Sequence, residues 1–200
     1  MQSVFKGDFF QQPANEKVGD YMEEREKLIQ EKIAEKEKIE WMQTLGVRHL
    51  VYEILTKEKG FYPQDIQINP QFQLKLSTCE ATVGIDFVIT YDDTSFMVVR
   101  CVSSGVEPWE RYIIAFARAI IDYQIPYATV TDGEKVKIFD TFSGALIKDS
   151  IQEFFTRQEA ASLMKNFQKI PCPGKRIEKE KRIIYAFEGI KHAPDKQGDA

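Results

Sequence analysis

The sequence predicts an α/β domain with a mixed central sheet and helices covering its faces, and three observations carry that prediction. Residues 84–104, GIDFVITYDDTSFMVVRCVSS, read as two apolar strands joined at Asp92-Asp93. Residues 107–123 place Ile113, Ile114, Phe116, Ala117, Ile120 and Ile121 nearly all round a helix that opens at Pro108, so that helix is buried on several sides. Pro126–Thr131 and Val136–Asp140 flank Asp132-Gly133, a dipeptide suited to a tight hairpin. Strands, then a buried helix, then strands is the order of a sheet with helical layers.

The remaining elements follow in chain order. Residues 1–19 show no period and read as a loose arm, with Phe9-Phe10 as a pair that could dock. DYMEEREKLIQEKIAEKEKIEW reads as a solvated helix whose thin apolar stripe is Leu28, Ile29 and Ile33. Pairing as a coiled coil is the alternative, but the stripe falls short of three or four heptads. From Thr44 the period is firm: Val47, Leu50, Val51, Ile54 and Leu55 share one face of a helix that stops at Gly60. Strands are predicted at 65–69, 72–76, 84–91 and 95–102, with Glu80 solvated in a hairpin before the third. After Gly144 comes a short strand at 145–147. Thr156 with Glu159 is a capping-box signature for a helix to about Gln168. PCPGKR reads as a break and 178–190 as a last helix. Trp41 and Trp109 read as apolar anchors for the flanking helices, with base stacking as the alternative. The organisation expected is an arm and charged helix over 1–40, an α/β domain over 41–150 and a helical extension over 151–200.

Composition narrows the function classes. Two hundred residues, 43% of them hydrophobic, suffice for one ordinary core. No apolar run approaches ~18 residues and the start lacks a signal-peptide pattern, so a cytoplasmic protein without a membrane partner is expected. Cys79, Cys101 and Cys172 are widely spaced, which favours reduced thiols over disulfides or zinc. Two histidines, His49 and His192, argue against a histidine-based centre. The net charge of −4 divides into −3 for 1–40, −4 for 41–150 and +3 for 151–200. An acidic body argues against a surface that wraps duplex DNA. The basic section is the exception: Lys169, Lys175, Arg176, Lys179, Lys181 and Arg182 face only Glu178 and Glu180. From it, Lys175, Arg176, Lys179, Lys181 and Arg182 are the candidate nucleic-acid contacts. The competing account is a solvated helix entry whose Ile183, Ile184 and Phe187 pack on the core.

Within the strands two charges stand out. Asp86 lies inside an apolar strand, where an acid needs a partner or a task, and Arg100 interrupts the next one. The plain reading is a salt bridge between them across the sheet. Together with VRHLVYEIL, DFVI, AFARAIIDYQIPYATVTDG and VKIFDTFSG, these strands resemble the N-terminal domain of type I restriction enzyme R subunits, within the PD-(D/E)xK nuclease superfamily. The similarity covers about 44–147 and implies a restriction-endonuclease-like core. It also implies an Asp on one strand and Glu-x-Lys on the next, two carboxylates holding Mg²⁺ while the Lys orients water. In this chain FMVVRCVSSG occupies that string, with Arg100 in place of the Glu and Val102 in place of the Lys. Thr44-Leu45-Gly46 precede Val47-Arg48 where the family usually carries a Glu. Ala115 and Ala119 fill the positions where a Gln-x-x-x-Tyr is often found. No GxxxxGK[ST] motif is present.

These departures imply a degenerate site, no cofactor, and a non-catalytic module that binds DNA, a protein partner or a second copy of itself. The alternative is an Mg²⁺-dependent deoxyribonuclease with a migrated carboxylate: Asp86 with Glu110, or Glu107, and Arg100 in place of the Lys. Helix N-termini favour acids without any catalytic role, which explains Glu110 equally well. A purely structural or regulatory partner is the third reading.

Overall fold

Thr94–Cys101 is buried on both faces because its apolar residues fill both alternating sets, and that strand organises the molecule. The structure, a computed structural model, describes residues 14–77 and 79–191. Helices are α1 (Ala14–Glu53), α2 (Glu110–Ala119), α3 (Arg157–Met164) and α4 (Gly174–Lys191). Strands are β1 (Ile66–Ile68), β2 (Gln71–Lys75), β3 (Glu80–Gly84), β4 (Phe87–Tyr91), β5 (Thr94–Cys101), β6 (Tyr127–Thr131), β7 (Val136–Asp140) and β8 (Leu146–Lys148). Six of them form one sheet in the order β1-β4-β5-β6-β7-β8, while β2 and β3 pair with each other. Only β5 and β6 run parallel, joined through α2; the other pairs are antiparallel. This is the mixed α/β sheet flanked by helices that the sequence predicts.

Each face of the sheet has its own core. On one, Val88, Val98, Ala128, Val130 and Phe139 meet α2, Ile184 of α4, and Leu74 and Val83 of the β2–β3 hairpin. On the other, Phe87, Ile89, Met97, Val99 and Ile138 meet Val51 of α1, Ile54 and Leu55 of the π-helical turn that follows it, and Phe154, Phe155 and Ala160 around α3. Burying such a side chain contributes about 1.5–3 kcal/mol, so both layers hold the sheet. Asp92 and Asp93 both have positive φ, 50° and 56°, which gives β4 and β5 a two-residue turn of the hand that suits strand twist.

Several boundaries differ from expectation for physical reasons. Residues 14–19 are helical rather than part of a loose arm, and residues 1–13, including Phe9-Phe10, lie outside the described residues. The two helices expected on either side of Thr44 are one, since Gly46 has open space around it and nothing there breaks the helix. The strand expected over 84–91 is split at Ile85-Asp86, and Glu80 opens the unpredicted β3, exposed and 3.4 Å from Lys75. The helix expected to Tyr123 ends at Ala119. Helix α4 begins inside the expected break, where the carbonyl of Pro173 accepts from the amides of Arg176 and Ile177.

The chain divides into a unit up to Met42 and a unit from Gln43. In the first, the described side chains at 22 and 25–42 are all exposed, Trp41 among them at 62%, so Trp41 is no anchor there. Among the described residues, no helix is long and apolar enough to cross a membrane.

Candidate functional site

Asp86 sits in the bend between β3 and β4, one step beyond the Phe87–Val99 pair, which brings it opposite Arg100 on β5. It is 3% exposed, and a carboxylate so buried needs partners. Its Oδ2 accepts from the backbone N–H of Cys101 at 2.8 Å, with Arg100 Nη1 3.7 Å away. Its Oδ1 lies 2.5 Å from Nε of Arg48, which α1 delivers from the opposite layer. That contact is an ion pair only, because the Arg48 N–H is not aimed along it as a hydrogen bond. Arg48 Nη2 donates to Asn69 Oδ1, and the Asn69 amide donates to the Asp86 carbonyl at 2.9 Å. Two guanidiniums therefore converge on one carboxylate.

Arg100 is held mainly by rings. Its guanidinium carbon stands 4.9 Å from the centroid of Trp109, in the 3-10 turn that leads into α2, and 5.8 Å from that of Tyr112 in the first turn of α2. Among the described residues it donates no hydrogen bond, and its Nε is buried without an acceptor. Tyr112, wholly buried, donates to Glu188 Oε1 of α4 at 2.7 Å. Burial, then the Glu188 charge, pushes the Tyr112 phenol far up. Burial, then the Asp86 charge, raises the Cys101 thiol well above its usual range. Arg48, Asn69, Gln71, Thr82, Arg100 and Glu188 open onto one polar cleft of about 300 Å³. A Cβ at Gly84 would meet Gln71 Nε2 at 2.5 Å, so glycine lets the Gln71 side chain lie across β3 there.

The structure thus brings together Asp86 and Arg100 and places the other candidates elsewhere. Glu110 pairs with Lys137, whose ammonium is also 3.7 Å from Glu107. The hydrogen bond from Lys137 to Glu110 raises the Lys137 pKa. Lys137 faces the same side of the sheet as Arg100 but two strands away, across Val130. Val102 is buried in the core beside α2. Among the described residues, no group of three His, Cys, Asp or Glu side chains is arranged to hold a metal ion.

In the basic section, Lys175, Lys179 and Arg182 are exposed at i, i+4 and i+7 on α4, and Lys181 is half-buried. Arg176 is committed to the fully buried Glu180, 3.1 Å away, alongside Arg111 and Arg118. Sequence reasoning missed Arg48, Tyr112 and Glu188 as site residues. The faint signal for Arg48 is a charge beside the apolar face of Val47 and Val51.

The geometry can be set beside known proteins. The family model for the type I restriction enzyme R protein N terminus matches residues 46–154, more than half of the chain. No curated protein matches. Among solved structures, a chain described as an HsdR-subunit fragment of a type I restriction enzyme from Vibrio vulnificus YJ016 is similar, with 20% identity and a TM-score of 0.44. The similarity covers 57% of this chain and 24% of that one, so this chain spans about a quarter of its length. The matched segment contains the whole six-stranded sheet with Arg48, Asp86 and Arg100, and the chain belongs to the type I restriction enzyme R protein N-terminal family.

Proposed function

We propose that this domain is a restriction-endonuclease-like fold of the PD-(D/E)xK type whose site has lost metal-dependent cleavage and serves as a non-catalytic nucleic-acid-binding module. The observation that carries the reading is Arg100: a permanent cation stands 3.7 Å from Asp86, at the strand position where a nuclease needs a second carboxylate. Mg²⁺ requires hard oxygen ligands with near-octahedral freedom. The donor set does not fit it, because both Asp86 oxygens face donors, and Glu110 is paired to Lys137. Arginine is also a poor proton shuttle at neutral pH, so Arg100 is not a substitute for the lysine. The exposed row of Lys175, Lys179 and Arg182 supplies the sequence-independent phosphate contacts, with Lys181 and Arg176 contributing less.

The test is incubation of purified protein with labelled duplex and single-stranded DNA in Mg²⁺ or Mn²⁺. No cleavage is expected. Cleavage abolished by Asp86→Ala would overturn the reading, and cleavage that also needed Glu110 would install the migrated-carboxylate endonuclease in its place. DNA binding itself should weaken steeply with salt and fall when Lys175, Lys179 and Arg182 are neutralised. No binding at low salt would replace DNA by a protein partner or a second copy of the chain.

A further inference from the structure

A guanidinium offers five N–H donors, and buried donors are nearly always given an acceptor. Arg100 departs from that rule at its Nε: the side chain is only 15% exposed and that N–H is buried without an acceptor, while its Nη1 has just the ion pair 3.7 Å from Asp86 Oδ2. Arg48, 26% exposed, likewise leaves its buried Nε without one. Trp109 and Tyr112 meet the Arg100 guanidinium with their ring faces, and the Tyr112 hydroxyl is spent on Glu188. Both side chains line the same cleft, whose rim adds the amide of Gln71 and the hydroxyl of Thr82. Two planar forks, one with no hydrogen bond beyond its long ion pair to Asp86 and supported on aromatic faces, form an oxyanion cradle, because arginine forks match carboxylate and phosphate geometry.

We infer that the Arg48–Arg100 cleft binds a phosphate oxyanion directly, without a bridging metal. This rests on the non-catalytic reading above and adds where and how the phosphate is held. Asp86 does not oppose it strongly, since its charge is already shared between Arg48 and the Cys101 amide. Glu188 is turned to the Tyr112 hydroxyl, which it accepts at 2.7 Å. With two cations and two carboxylates around the cleft, directional hydrogen bonds rather than net charge drive binding. Its salt dependence is therefore shallow, unlike that of the basic row on α4.

The experiment is a titration of the full chain in EDTA, which removes metal-bridged binding, followed by calorimetry and by the arginine Nε–Hε signals in ¹H–¹⁵N spectra. Buried Nε–H groups such as these exchange slowly and stay visible. Inorganic phosphate is expected to shift the signals of Arg48 and Arg100 together along one saturable curve. Arg100→Lys, which keeps the charge and removes the fork, should weaken binding roughly tenfold to a hundredfold. Two oligonucleotides differing only in a 5′-phosphate separate the sources. Tighter binding of the phosphorylated one assigns a strand end, and equal binding that inorganic phosphate displaces assigns the backbone. Phosphate binding that no oligonucleotide displaces assigns a small phosphorylated ligand to the cleft. No shift of either signal at saturating phosphate, or an Arg100→Lys variant that binds as the wild type does, would overturn the inference. The cleavage assay fails independently: activity there removes the non-catalytic reading, whereas spectra without change remove only this site.

Discussion

Two buried carboxylates in this domain each gather arginines, and they are treated in opposite ways. Glu180 on α4 is fully buried and takes Arg111, Arg118 and Arg176. Arg118 is then completed by backbone, its Nε donating to the Thr141 carbonyl at 2.7 Å and its Nη2 to that of Phe142. Burial, then the neighbouring Arg176, lowers the Arg118 pKa from its usual value, and Glu180 works against that. Asp86 is just as deep, but its arginines keep donors without acceptors and border a cleft. A saturated cluster fastens α4 to α2, whereas an unsaturated one is held ready for something outside the chain. Burial and charge alone would not separate them; the accounting of donors does.

The largest effect should come from Glu180→Ala, which leaves three guanidiniums around a buried void and should destabilise the domain by about 3–5 kcal/mol. Chemical denaturation measures it. Asp86→Ala should come next at about 3 kcal/mol, since Arg48 and Arg100 can turn partly to solvent in the cleft while the Cys101 amide loses its acceptor. If Asp86→Ala proved the more damaging, the Asp86 cluster would be the main fastening and the contrast would collapse.

The smallest effect sharpens the comparison through pH. The Tyr112 phenol is raised in the folded state by burial first and by Glu188 second. A raised value means that the folded chain holds the proton after the unfolded chain has released it. That stability is complete below the unfolded pKa of about 10 and is lost as pH rises above it. Wild type should therefore lose more melting temperature than Tyr112→Phe between about pH 9 and about pH 11. Parallel losses in the two proteins would mean that Tyr112 does not report on the cleft wall.

Much of the frame was legible because local chemistry encodes it. The Asp92-Asp93 turn, Pro108 ahead of α2 and the Thr156–Glu159 capping box all form as read, the last with Glu159 Oε2 accepting from the Thr156 amide at 2.7 Å. Strand β3 escaped because its alternation is short and weak: in EATVG only Ala81 and Val83 turn to the core, and only Val83 is fully buried. The break before β4 escaped because its cause is tertiary: Asp86 reaches the Cys101 amide on another strand. The Asp86–Arg100 pairing followed from strand alternation, but Arg48 reaches it from a helix in the other layer, and no local period encodes such an approach. Glu188 likewise becomes part of the cleft only once α4 packs against α2.

The stacking of Arg100 on Trp109 has an optical consequence. The chain has two tryptophans, and the other, Trp41, is 62% exposed in the separate N-terminal unit. An indole with a guanidinium 4.9 Å from its centre and a buried tyrosine at 5.6 Å has an emission set by that charge and that neighbour. Replacing Trp41 by phenylalanine leaves a protein whose tryptophan emission reads one spot alone, the aromatic wall behind Arg100. Any ligand that draws the guanidinium forward dims or brightens the molecule without a label.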